Sequence, residues 1–273
     1  MVNSIIDNMD LSALLSEIHL AIGYPHSICV VVEGVEDCKL FFPLFKSSVY
    51  LVNARDGKNK VEDIITHFMG EKKVIGIRDR DYQTSPISNQ IFYCDYCCAE
   101  MMVISQNSCF ERAYSSFYKE KNMNPEELRL YCLKHLEFLS KFRMCNEKHD
   151  WHIRFDGIRV GCCYCDDINI MNQNLKAEMI RVNEDNPISE EFTEIIQQER
   201  NCDSLEDYLT ITNGHDFTKL FREVCYLNGN HNLSIENVAD TIRATFGVYE
   251  FQNTSLYQKL AEYQAHNDLY IVN

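Results

Sequence analysis

The sequence predicts an α/β fold: a parallel sheet flanked by helices, followed by a mainly helical C-terminal extension. Three observations carry this. Short β-branched and aromatic runs ("ICVVV", "VYLVN", "KVIGI", "IFYC") alternate with helical periods between Ser27 and about Glu100. The first run is apolar throughout rather than alternating, as expected for a strand covered on both faces. Beyond Glu100 the strand pattern stops and helical periodicity continues almost to the end.

Taken in order, Leu11, Leu14, Leu15, Ile18 and Ile22 have helical spacing and predict a leading helix. "ICVVV" is the first strand, and a helix should begin at Asp37, with Pro43 kinking it. "VYLVN" precedes a helix from about Asn59 to Met69; "KVIGI" and "IFYC" follow, separated by a polar loop containing Pro86. In "NPEELRLYCLKHLEFLSKF", Leu128, Cys132, Leu136, Leu139 and Phe142 form an apolar stripe, and Pro125 suits a first helical turn. "PISEEFTEIIQQER", "GHDFTKLFREVCYL", "SIENVADTIRATFG" and "SLYQKLAEY" are predicted helices, several opening with a Ser or Asp suited to capping. No repeat or low-complexity linker separates the halves, so the expected division is a sheet-bearing domain over 1–110 and a helical extension over 111–273.

With 273 residues, 45% of them hydrophobic and 25% charged, the chain can bury one large core or two modest ones. The first twenty residues lack a basic region followed by an apolar block, and no charge-free apolar window reaches about 18 residues. A cytoplasmic location is expected, with the 13 cysteines mostly reduced. The net charge of −15 excludes nucleic-acid binding by bulk basicity. Charge is uneven, however: Glu184 to Asp207 holds nine acids against Arg200 alone, whereas Lys119 to Arg159 holds nine Lys/Arg against seven acids, with His135, His149 and His152 besides. Any nucleic-acid groove is expected along that middle segment, and the acidic stretch reads as a solvated helix face or as a surface for a basic partner.

The chemistry-bearing residues sit at strand ends. In an open parallel sheet, ligands gather outside the carboxyl ends of the strands. Glu33 ends the first apolar run and Gly34 allows the turn after it. In "VIGIRDRDY", Asp79 and Asp81 follow another strand, and an extended chain would project both to one side. Three carboxylates on neighbouring tips repel unless a cation lies among them, which points to a hard divalent ion and phosphoryl-transfer chemistry.

"VVVEGVEDCKLFFPLF", "NARDGKNKVEDII", "VIGIRDRDY" and "IFYCDYCCAEMMV", in that order, resemble the motifs of the TOPRIM domain of topoisomerases, primases and OLD-type nucleases. The closer resemblance is to the AriB-type nuclease effectors of PARIS anti-phage defence systems; it covers about residues 28 to 105, and "NGHDFTKLF" is similar to a downstream segment of that group. The resemblance implies a TOPRIM-like sheet and a metal-dependent endonuclease using Mg²⁺, or alternatively Mn²⁺. Glu33 corresponds to the general acid/base or a metal ligand, and Asp79 and Asp81 to the metal-holding pair. Glu100 and Asp37 fall on acids near the same metal. Lys58, Lys39, Arg80 and His215 are the implied substrate contacts. It further implies an ABC-type ATPase sensor as partner, a nucleic acid substrate (tRNA or DNA, tRNA favoured) and a homodimer when active, without membrane association.

Two departures stand out: Arg78 occupies a position usually small or apolar, and "CDYCC" replaces commoner polar residues. Neither is expected to touch the acids. Cys94, Cys97 and Cys98, and Cys162, Cys163 and Cys165, have half-site spacing for zinc, but buried thiols are the plainer reading. His215 and Asp216 could assist phosphate chemistry, although Asp216 is placed to cap a helix. Trp151 is expected to pack in a core rather than stack on a base. A phosphatase of haloacid-dehalogenase type would also use an Asp-x-Asp after a strand. It would want Thr or Val where Gln83 stands, and it leaves Glu33-Gly34 unexplained. A TOPRIM-like adaptor without activity, bound to the ATPase, is the non-enzymatic alternative.

Overall fold

A computed structural model describes residues 11–25, 27–55, 57–186 and 188–272, apart from the side chain of Lys58. In chain order the elements are α1 (Leu11–Ile22), β1 (Ile28–Val32), α2 (Val35–Phe41), a 3₁₀ turn (Phe42–Leu44), β2 (Val49–Asn53), α3 (Lys58–His67), β3 (Val74–Arg78) and β4 (Ile91–Tyr93). They continue with α4 (Ala99–Ser105), α5 (Asn107–Phe117), α6 (Pro125–His149), α7 (Val160–Cys163), α8 (Ile168–Val182), α9 (Glu190–Gln198) and α10 (Leu205–Ile211). The last are α11 (Gly214–Leu227), α12 (Ile235–Ala244), α13 (Val248–Gln252) and α14 (Ser255–Asn267). Among the described residues no helix is long and apolar enough to cross a membrane.

The chain forms two units. One holds the sheet, ends at Asp95 and regains the chain from Phe246 onward; the other is the helical stretch Tyr96–Thr245. This differs from the two consecutive segments expected from sequence, because a contact distant in the chain returns the C-terminal helices to the sheet. The carboxylate of Asp95, just past β4, accepts hydrogen bonds from Ser255 N (2.8 Å), Ser255 Oγ (2.6 Å) and Leu256 N (2.9 Å), holding the start of α14. Tyr263 of α14 then meets Phe92 of β4 edge to face at 5.4 Å.

In the sheet unit the four strands are all parallel, in the order β2-β1-β3-β4. The central strands β1 and β3 are buried along their whole length, as their unbroken apolar runs require. Cys29 and Val31 of β1 pack with Leu14 and Ile18 of α1 and with Val61, Ile64 and Ile65 of α3. Pro43 ends α2 at Phe41 and starts the 3₁₀ turn, where the kink was expected. Below the turn, Phe41 and Phe45 stack at 5.8 Å and both meet Phe251 of α13. The chain leaves β1 for β2 on one side and leaves β3 for β4 on the other. The β1/β3 border is therefore the topological switch point, the position at which open parallel sheets bind ligands.

The helical unit is organised on α6, about 37 Å long at 1.5 Å per residue. Its start is fixed by a capping box: Asn124 Oδ1 accepts from Glu127 N, and Glu127 returns a bond to Asn124 N, both at 2.9 Å. Leu128, Cys132, Leu136, Leu139 and Phe142 are buried, as their stripe predicts. Ser189, Ser204 and Ser234 cap α9, α10 and α12.

Candidate functional site

The site is built on the switch point. Val32 of β1 pairs with Ile77 of β3, so Glu33 and Arg78 are the next residues on adjacent tips. Glu33 Oε1 accepts the Asp79 backbone N–H at 3.0 Å, tying the two tips together. Gly34 begins α2, and the side chain of Asp37 turns back to accept the Gly34 N–H at 2.9 Å. Asp37 thus has a local capping role, and its charge, like that of Asp81, acts on Glu33.

Arg78 lies at the centre, contrary to the expectation that it stays clear of the acids. It is the last residue of β3, its side chain is fully buried, and its Nε stands 3.9 Å from Glu33 Oε1 and 3.1 Å from the Asp79 carbonyl oxygen. Nη1 pairs with Glu62 of α3, Nη2 is 3.7 Å from Asp81 Oδ2, and the guanidinium lies 5.2 Å from the centre of the Tyr93 ring. Gly76 explains how α3 comes so close: a Cβ there would lie 2.8 Å from Val61 Cγ1 and 3.0 Å from Ile65 Cγ1. Residues two apart on a strand share a face, so Arg78 rises on the same side as Gly76, next to α3. Glu62 is therefore a member of the cluster that sequence reasoning missed; the signal was a glycine in the strand two residues before the arginine.

Electrostatics single out Glu33. Burial pushes its carboxyl up to about 7; the Asp79 N–H and Arg78 pull it down, and Asp81 and Asp37 push it further up. A carboxyl poised near neutrality suits proton transfer at cellular pH. Asp81 has φ of +49°, so the chain has left the extended path and strand alternation no longer sets the direction of its side chain. Among the described residues, no three of Glu33, Asp37, Asp79 and Asp81 bring ligand oxygens within 4.8 Å of one another. A divalent ion held here would take one or two of these carboxylates directly and complete its shell with water. No protein-family model matches this chain, and no curated protein does either.

The implied substrate contacts are spread out. Lys39 is exposed on α2 and pairs with Glu36 at 2.8 Å. Arg80 is half-buried in the turn after β3, where its carbonyl oxygen accepts from Gln83 N. Lys58 opens α3, and its side chain lies outside the described residues.

Glu100 and His215 belong to the helical unit and are described there. Glu100 is in the first turn of α4, its side chain lying over Gly214 so closely that a Cβ at Gly214 would sit 2.7 Å from Glu100 Cβ. His215 is exposed in the first turn of α11. Asp216 does not cap that helix: Asn213 does, and Asp216 is buried in a bidentate pair with Arg143 (2.6 and 3.2 Å). Trp151 stacks between Phe192 (4.2 Å) and His149 (5.3 Å), consistent with a packing role.

The middle basic segment lies in the helical unit. Arg129, Lys141, Arg143, Lys148, Arg154 and Arg159 are engaged with carbonyl, amide or carboxylate oxygens of their own unit. Of the cysteine clusters, Cys94, Cys97, Cys98 and Cys163 are buried, and among the described residues neither cluster brings three of its own sulfurs within 4.8 Å of one another.

Proposed function

We propose that the chain is a Mg²⁺-dependent nuclease of TOPRIM type, the effector of an anti-phage defence system, which cleaves nucleic acid, tRNA by preference, when released from an ABC-type ATPase partner. The observation that carries this reading is Glu33 at the β1 tip accepting the Asp79 N–H at 3.0 Å, with Asp81 drawn to the same buried arginine. A small all-parallel sheet that places an acid at one central tip and an Asp-x-Asp at the next supports the TOPRIM resemblance. In the proposed chemistry Glu33, mostly desolvated, holds or releases a proton, while Asp79 and Asp81 supply carboxylates to the ion. When bound, Mg²⁺ would polarise the scissile phosphate and stabilise the leaving oxygen. Lys39 and Arg80 would contact phosphates, and the active form would be a homodimer.

One observation favours the adaptor alternative: Arg78 already places a positive charge among the acids. The two readings separate on Glu33→Ala, which abolishes defence or toxicity for a nuclease and spares it for an adaptor. Biochemically, the purified chain, free of partner, is incubated with total tRNA and with plasmid DNA, each with Mg²⁺ or chelator, beside Glu33→Gln. Cutting of tRNA only by the wild type and only with Mg²⁺ is the expected result. Failure to cut either nucleic acid overturns the nuclease reading.

A further inference from the structure

We propose that Cys145, His149 and Glu199 form a zinc-type metal site in the helical unit, with a water as fourth ligand. Cys145 and His149 are four residues apart in the last turns of α6 and so share one helix face. Glu199 is the residue that ends α9. One ligand atom from each of the three lies within 4.8 Å of the other two, and Cys145 Sγ donates to Glu199 Oε1 at 3.9 Å. With metal–ligand bonds of about 2.0 Å to nitrogen or oxygen and about 2.3 Å to sulfur, neighbouring ligands of a tetrahedral zinc stand roughly 3.3–3.6 Å apart. The sulfur and carboxylate are nearly there, and His149 is exposed.

The donor set selects the metal. A thiolate and an imidazole favour Zn²⁺ over the oxygen-seeking Mg²⁺, so this site would not compete for the ion proposed at Glu33. Thiolate and carboxylate together neutralise a dication, so a buried Cys145 can ionise without leaving net charge behind. On binding, the metal–sulfur bond replaces the S–H bond and the thiol proton passes to solvent. Lys148, now 2.8 Å from Glu199 Oε1, is exposed, and releasing such a pair into water costs little.

The surroundings hold the ligands in place. His149 stacks on Trp151, which stacks on Phe192 of α9, so the ends of the two ligand-bearing helices are already pinned beside each other. A bound ion would clamp them and raise the melting temperature of the full chain, because it binds the native state alone. This inference is independent of the nuclease reading.

The test uses the full chain, reduced and stripped with chelator, titrated with Co²⁺ as a spectroscopic stand-in and then with Zn²⁺. One equivalent of Co²⁺ should give a near-ultraviolet thiolate-to-cobalt charge-transfer band that Zn²⁺ abolishes. The band should be absent in Cys145→Ser, and His149→Ala and Glu199→Gln should each weaken Co²⁺ binding by about tenfold or more, with far-ultraviolet circular dichroism unchanged. No band, or a band that survives in Cys145→Ser, overturns the site. Should Cys145→Ser fail to fold, unchanged Co²⁺ affinity in both other variants overturns it equally.

Discussion

Two arginines, one in each unit, meet carboxylates in opposite ways. Arg143 of α6 has one partner: Asp216 takes both its Nε and Nη2, and the Phe155 ring lies 4.4 Å from the guanidinium. Arg78 at the end of β3 is shared by Glu33, Glu62 and Asp81, and its buried Nη2 makes no hydrogen bond. The first arrangement is complete and needs nothing further. In the second, three carboxylates face one guanidinium, an excess of two negative charges when all are ionised. The difference separates a balanced ion pair from a cluster that carries surplus negative charge, which a divalent cation would neutralise.

The largest effect should come from breaking the complete pair. Asp216→Ala strands the Arg143 charge in a poorly solvated place and should cost about 3–5 kcal/mol, read as a fall in the urea midpoint at constant slope. At the shared arginine the outcome depends on pH. Glu33 has a raised folded pKa, so the fold favours its protonated form; wild-type stability should fall as pH rises from the ordinary glutamate value of about 4.3 towards about 7, then level off. Glu33→Gln, always neutral, should be more stable than wild type above pH 7 in chelator, by up to about 3 kcal/mol, with the gap closing at low pH. A gap that does not vary with pH would show that Glu33 is not under this strain.

Smaller effects sharpen the comparison. Gly76→Ala forces a Cβ against Val61 and Ile65, lifts α3 away from Arg78 and should cost about 1–3 kcal/mol in thermal or urea unfolding. Lys39→Ala removes only an exposed pair with Glu36, so stability should change by about 0.3 kcal/mol. If Lys39 contacts phosphate, the same variant should cut tRNA more slowly while binding metal normally.

Much of this was legible in the sequence because the relevant signals were local. The unbroken apolar run of β1 marked a strand covered on both faces, and acids at strand ends marked Glu33 and Asp79 as tip residues; the order that makes those tips neighbours came from the structure. The stripe and Pro125 marked α6. What escaped was set by distant or ambiguous contacts. Arg78 next to a strand end reads as a surface cation until Gly76 is seen to admit α3 so closely. The capture of α14 by Asp95 joins residues 160 apart and leaves no periodic trace. Helix α8 was missed because Asn169, Asn172, Gln173 and Asn174 dilute its apolar stripe, although Met171, Leu175 and Met179 are buried. Asp tolerates both extended and left-handed backbone, so the turn at Asp81 was not predictable from residue type.

The account rests on Glu33, Asp79 and Asp81 serving one divalent ion at the β1/β3 border. Electron paramagnetic resonance of Mn²⁺ added to the metal-stripped full chain tests this directly, because bound and free Mn²⁺ give different signals. The account predicts one bound Mn²⁺ per chain that Mg²⁺ displaces, weakened in Glu33→Gln and Asp81→Asn, lost in Asp79→Asn and retained in Cys145→Ser. No bound Mn²⁺, or binding unchanged in all three acid-to-amide variants, would contradict it.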